Sequence, residues 1–151
     1  MIKYVGIFID EQDVGKIVEN EKVCLARRPK VFHCTMQYKP QDLEHFDDVM
    51  GKEVVIALTG YGSDSENSGF SVQLPEEIKK YFLNVDEQGN LKIPHITTSL
   101  SEEGEAVNTM NLKFEDLEKP ILIRGRFGAF VKEDEIEYVS FDITNEAIQE
   151  K

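Results

Sequence analysis

Along Ile2 to Asp10 the residues Tyr4, Gly6 and Phe8 fall on one face and Val5, Ile7 and Ile9 on the other; both faces are apolar enough for a central strand. Asp10 then caps a short helix over Glu11 to Glu19, with Val14, Ile17 and Val18 at helical spacing. Glu21 to Ala26 reads as a weak strand and Val31 to Tyr38 as a firmer one. Leu43, Phe46 and Met50 predict a short helix stopped by Gly51. Val54 to Leu58 is the most apolar run of the chain and predicts an inner strand within Glu53 to Tyr61. A glycine-rich connection, Gly60 to Gly69, leads to a strand in which Phe70, Val72 and Leu74 alternate; it matches neither a phosphate-binding nor a calcium-binding loop.

Pro75 opens a helix that turns Ile78, Tyr81 and Phe82 inward, and Gln88-Gly89-Asn90 makes a turn before a strand around Ile93 to Leu100. Ser101 to Lys119 is polar without a strong period, which predicts a long connection with at most one short strand or turn. Pro120 to Val131 and Ile136 to Ile143 predict a final hairpin around Lys132-Glu133-Asp134-Glu135, and Thr144 is placed to cap a last turn. The class expected is α+β: a single domain over residues 1–151, with two β-rich lobes of antiparallel sheet, outer helices and about nine strands.

Charge narrows the partners. Seventeen basic against twenty-nine acidic residues leave a net charge of −12. Such a field repels long nucleic acids and acidic membrane surfaces, although solubility alone also accounts for it. A nucleotide substrate is therefore expected to be small, or held only at its end. The two cysteines, Cys24 and Cys34, form no Cys-x-x-Cys pair, and no apolar run reaches transmembrane length or forms a signal-peptide core. A cytoplasmic, soluble protein is the expectation.

The candidate chemistry lies in two strands. His33-Cys34-Thr35 and His95-Ile96-Thr97 repeat the pattern His-x-Thr, with 62 residues between the histidines. In a strand the residues i and i+2 share a face, so each histidine projects beside its threonine. A neutral imidazole can take a proton from an attacking oxygen while a protonated one gives a proton to the leaving oxygen; such a pair predicts a bell-shaped pH dependence centred near neutrality. Threonine hydroxyls can donate to non-bridging phosphate oxygens. A structural histidine in a strand is the competing reading for each motif taken alone.

On these two motifs the chain resembles the two-histidine (2H) phosphoesterase superfamily, which includes LigT-like RNA cyclic phosphodiesterases and the phosphodiesterase domains of tRNA ligases. Thr98 departs from the pattern, since an apolar residue is usual there. The resemblance implies two pseudo-symmetric lobes with a groove between them and His33, Thr35, His95 and Thr97 as catalytic residues. It also implies a metal-independent phosphodiesterase without a cofactor, acting on a ribonucleotide. The substrates implied are a 2′,3′-cyclic phosphate, a 2′-5′ linkage, an RNA end in RNA processing, or the cyclic oligonucleotide signals destroyed by phage anti-CBASS nucleases. A nucleotide-binding module without turnover is the alternative.

Around that groove, Tyr4, Phe8, Tyr38 and Phe127 are candidates to stack on a base, with core packing as the other reading. Arg124 and Arg126, side by side on a strand, can hold an anionic ligand or pair with acids across the sheet. Arg27, Arg28 and Lys30 form either a phosphate-attracting rim or a solvated turn, and the polar stretch Ser101 to Lys119 is placed to border the groove. His45 sits among acids with no second histidine at ligand spacing, so no metal site is expected.

Overall fold

The computed structural model describes residues 1–143, so the turn expected at Thr144 lies outside the described residues. Strands β1 (Ile2–Ile9), β2 (His33–Tyr38), β3 (Glu53–Ser63), β4 (Asn67–Gln73), β5 (His95–Leu100), β6 (Glu115–Glu133) and β7 (Ile136–Ser140) make one antiparallel sheet. Their order is β1-β2-β5-β4-β3-β6-β7, and β1 also pairs with β6. That extra pairing closes six strands into a barrel, which removes the free edges an open sheet would leave.

Alternation along the strands fills the interior. Val5, Ile7 and Ile9 of β1 join Cys34 and Met36 of β2, Phe70 of β4, Ile96 of β5 and Phe127 of β6 in one buried cluster. Tyr4 and Phe8 stand on the opposite face of β1, as the two-residue period requires. Among the described residues the one α-helix, α1 (Val14–Asn20), contributes Ile17 to the cluster, and the other helical segments are short 3₁₀ turns at Glu11–Asp13, Glu44–Phe46, Glu76–Tyr81 and Ala106–Asn111. Among the described residues no helix is long and apolar enough to cross a membrane.

Three expectations are corrected. Seven strands are found among the described residues, fewer than the nine or so anticipated, partly because Glu21 to Ala26 forms no strand. Its backbone is held instead by side chains, Val23 N–H donating to Tyr61 Oη at 2.9 Å and Leu25 N–H to Ser99 Oγ at 2.9 Å. The polar stretch after Ser101 is not a simple connection, because β6 begins at Glu115 and runs through Pro120. Proline is tolerated there because the β3–β6 register jumps from Leu58↔Ile121 to Gly60↔Asp116, leaving the residues between them out of the ladder.

Candidate active site

The two His-x-Thr strands are neighbours. β2 and β5 pair antiparallel at Cys34↔Ile96, both of which point into the core. Carried one residue either way, that register sets His33 opposite Thr97 and Thr35 opposite His95, all on the outer face of the barrel wall. A β-bulge follows each motif. Val5↔Gln37 steps to Gly6↔Thr35, which makes Met36 the extra residue; Ser68↔Ser99 steps to Gly69↔Thr97, which makes Thr98 the extra residue.

A cavity of about 430 Å³ opens over these strands. Tyr4, His33, Thr35, Tyr38, His95 and Thr97 line it, so six of the residues expected at the site come together there. Asn84, Lys92, Ala106 and Val107 complete the wall. The last two come from the polar stretch expected to border the groove. Neither Asn84 nor Lys92 carries a motif; the only signal near them is the Gln88-Gly89-Asn90 turn, which forms a hairpin pinned by the Val85↔Leu91 bridge.

Both imidazoles are set in the same way. His33 Nδ1 lies 3.0 Å from Val31 O and His95 Nδ1 lies 2.7 Å from Ile93 O, each the carbonyl two residues upstream. A carbonyl accepts only, so Nδ1 carries the proton in both rings and Nε2 is the basic nitrogen. Tyr4 Oη is 3.2 Å from His33 Nδ1, and its ring stacks on the imidazole at 4.4 Å between centroids and on Phe130 at 5.2 Å. Burial lowers the His33 pKa to about 4, against a partial upward pull from the Val31 carbonyl, with the charge of His95 lowering it further. Burial also lowers His95, and the Lys92 charge adds to that. Burial and the Glu137 carboxylate raise Tyr4, keeping its phenol protonated, and burial pushes the Cys34 thiol up to about 12, far from a reactive thiolate.

The threonines differ. Thr35 Oγ1 has no hydrogen-bond partner among the described residues and is open to the cavity. Thr97 is buried, and its hydroxyl donates to Thr109 Oγ1 at 2.8 Å. Thr98 is fully buried as well, with its Oγ1 2.7 Å from Ser68 Oγ; that bond lets a polar residue occupy the bulge where an apolar one was expected.

Four expected binding residues lie away from this cavity. Phe127 is a core residue, 1% exposed, edge-on to Tyr81. Phe8 is buried beside His33, with ring centroids 5.8 Å apart, and supports the histidine from behind. Arg124 is held by Asp13 and Gln12, while Arg126 donates to Gly51 O and lies over the Phe141 ring; both line a separate recess. Their register makes them partners of the protein's own groups. The basic cluster is likewise engaged: Arg27 with the Ser101 and Gly104 carbonyls, Arg28 with Glu21, and Lys30 with Glu137. His45 Nε2 lies 3.0 Å from Lys80 O, and among the described residues no group of three or more His, Cys, Asp or Glu side chains could hold a metal ion.

No protein-family model matches this chain, and no curated protein sequence matches it.

Proposed function

We propose that the protein is a metal-independent phosphodiesterase of the two-histidine type, acting on a small ribonucleotide in the cytoplasm. The observation that carries this reading is the pair of histidines on adjacent antiparallel strands, lining one cavity, each with Nδ1 anchored on a main-chain carbonyl and Nε2 left for proton transfer. On a 2′,3′-cyclic phosphate, one neutral Nε2 takes a proton from water as its oxygen attacks phosphorus. The bond to the 3′ oxygen breaks, and the other, protonated imidazole supplies that oxygen with its proton. The same pair, with a neighbouring ribose hydroxyl as nucleophile, cleaves a 2′-5′ or 3′-5′ linkage, including one in a cyclic oligonucleotide. Tyr38, 57% exposed at the cavity wall, offers a surface for a base.

The two-lobed architecture of the superfamily belongs to the same proposal, and the register supports it. Outward from the β2–β5 seam the strands run β2-β1-β6 on one side and β5-β4-β3 on the other. Gly6 faces Thr35 and Gly128, while Gly69 faces Thr97 and Gly62. The two bulges occupy the same place in each half. A barrel made of two such three-strand halves would carry one histidine from each.

A second reading, a nucleotide-binding module without turnover, is favoured by the low pKa of His33 and the lowered one of His95, both of which work against a protonated acid near neutrality in the free protein. Hydrolysis of cyclic and linear dinucleotides and of 2′,3′-cyclic mononucleotides, followed by chromatography with EDTA present, separates the two. Turnover is expected in EDTA, falling at least ~100-fold in His33→Ala and in His95→Ala. Binding without turnover would leave the second reading, and activity lost in EDTA and restored by a divalent ion would overturn the first.

A further inference from the structure

Lys92 and Asn84 face each other across the stem of the hairpin that follows the 3₁₀ turn Glu76–Tyr81. Lys92 N–H donates to Asn84 O at 2.8 Å, one step from the Val85↔Leu91 bridge. The stem is fixed to the first motif strand, because Leu83 N–H donates to Met36 O, the bulge residue, at 2.7 Å. Both residues line the cavity. Lys92 makes no ion pair among the described residues, in contrast to Arg28, Lys30 and Arg124. Asn84 is 4% exposed, yet its carboxamide has no hydrogen-bond partner among the described residues, and its Oδ1 is buried without one.

The orphaned Oδ1 is an acceptor, so a nucleotide meets it with a ribose hydroxyl or a base N–H, while Nδ2, which donates to no group among the described residues, is left for a phosphate oxygen. The second motif also lacks a free donor. Thr35 can offer its hydroxyl, whereas the Thr97 hydroxyl is already given to Thr109. Apart from an imidazole that takes up a proton, Lys92 is the one cationic side chain among the described residues lining the cavity of this strongly acidic protein.

We propose that Lys92 and Asn84 form an anion clamp, in which the ammonium of Lys92 and the amide N–H of Asn84 bind the phosphate oxygens on the side where Thr97 is unavailable. The clamp rests on the phosphodiesterase reading for its substrate, but its anion binding is measurable without turnover. It positions and neutralises the phosphate, and Asn84 marks where an acceptor must lie. Because the hairpin is anchored on β2 and runs directly into β5, the clamp is tied through the backbone to both histidine-bearing strands.

The test is titration of inorganic phosphate and of a 2′,3′-cyclic mononucleotide, followed by the imidazole NMR signals of His33 and His95, beside steady-state kinetics on the same proteins. Lys92→Met is expected to weaken phosphate binding by about 10- to 100-fold, the range of a charge-assisted hydrogen bond. It should raise KM more than it lowers kcat. Its affinity should also depend less on ionic strength than that of the wild type, since one screened attraction is gone. Lys92→Arg should recover most of the loss, and Lys119→Met, far from the hairpin in sequence, serves as a charge-matched control. Asn84→Asp should be worse than Asn84→Leu, because it sets a like charge against the anion.

Unchanged phosphate affinity and salt dependence in Lys92→Met, with a wild type that binds and turns over, overturns the clamp alone. A wild type that binds no phosphate at either probe overturns the clamp and the functional reading together. Lys92-dependent binding with no turnover of any diester supports the clamp and overturns catalysis.

Discussion

His33 owes its low pKa to its place beneath Tyr4 and beside Phe8, and that setting moves the pH dependence away from the neutral bell the two motifs suggest. With His33 at about 4 and His95 also lowered, the bell for kcat/KM, which reports the free enzyme, is expected below neutrality. The kcat profile should lie at higher pH, since a bound phosphate raises both imidazoles. Rate measurements from pH 4 to 9 distinguish these; coincident profiles centred at 7 would show that burial does not govern the pair. Stability carries the same sign. The unfolded chain binds protons at an ordinary histidine pKa of about 6.5 while folded His33 binds them only near 4, so stability is present above that window and is lost as pH falls through it. The slope is at most about 1.4 kcal/mol per pH unit for each histidine, read from denaturation midpoints in wild type against His33→Asn. The threonines should part company too. Thr35→Ala is expected to slow turnover about 10- to 100-fold with little change in stability, while Thr97→Ala costs about 1–3 kcal/mol of stability through its lost bond to Thr109. Equal stability losses in the two variants would contradict the asymmetry of the hydroxyls.

At the scale of the element, each motif strand depends on a glycine in the strand beside it. A Cβ on Gly69 would stand 2.6 Å from Ile96 O and 2.7 Å from Thr109 Cγ2, and one on Gly6 would stand 3.0 Å from Cys34 O. Both atoms approached across the ladder belong to the central residue of a His-x-Thr motif. Gly69→Ala should therefore push β5 out of register at the bulge, costing about 1–3 kcal/mol. It should also reduce activity by displacing His95 and Thr97, and Gly6→Ala should be milder. Urea midpoints and rates on the same preparations check this, and a Gly69→Ala protein of wild-type stability would refute the close approach. The hairpin over residues 84–92 is the other element that matters, because it brings two polar groups to a wall otherwise made by the barrel strands and the turn at Ala106–Asn111.

For the whole molecule, closure of the barrel through β1 and β6 fixes β2 and β5 side by side, while the net charge of −12 surrounds the cavity with a repulsive field. Affinity should accordingly not grow with nucleic-acid length. A 20-nucleotide RNA is expected to bind no tighter than a dinucleotide by fluorescence anisotropy, and a gain of tenfold or more would point to a basic track that Arg27, Arg28 and Lys30, engaged with carbonyls and carboxylates, do not provide. The chain by itself determined the strands that carry the chemistry, since the two-residue period of β1 and the β-branched runs about His33 and His95 are local properties of side chains. Which face of β1 enters the barrel was left open by its two apolar faces, and the fold assigned Val5, Ile7 and Ile9 to the interior. Tertiary structure alone decided the rest. The pairing of β2 with β5, the bulges at Met36 and Thr98 and the jump in register at Pro120 depend on backbone partners distant in the chain, which no local period encodes. The same holds for Arg124 and Phe127: their residue types suit a ligand, but long-range register assigns one to Asp13 and the other to the core. Asn84 and Lys92 reach the cavity only because main-chain hydrogen bonds join one to the other and Leu83 to Met36, an arrangement set by the folded backbone and left unmarked by the sequence.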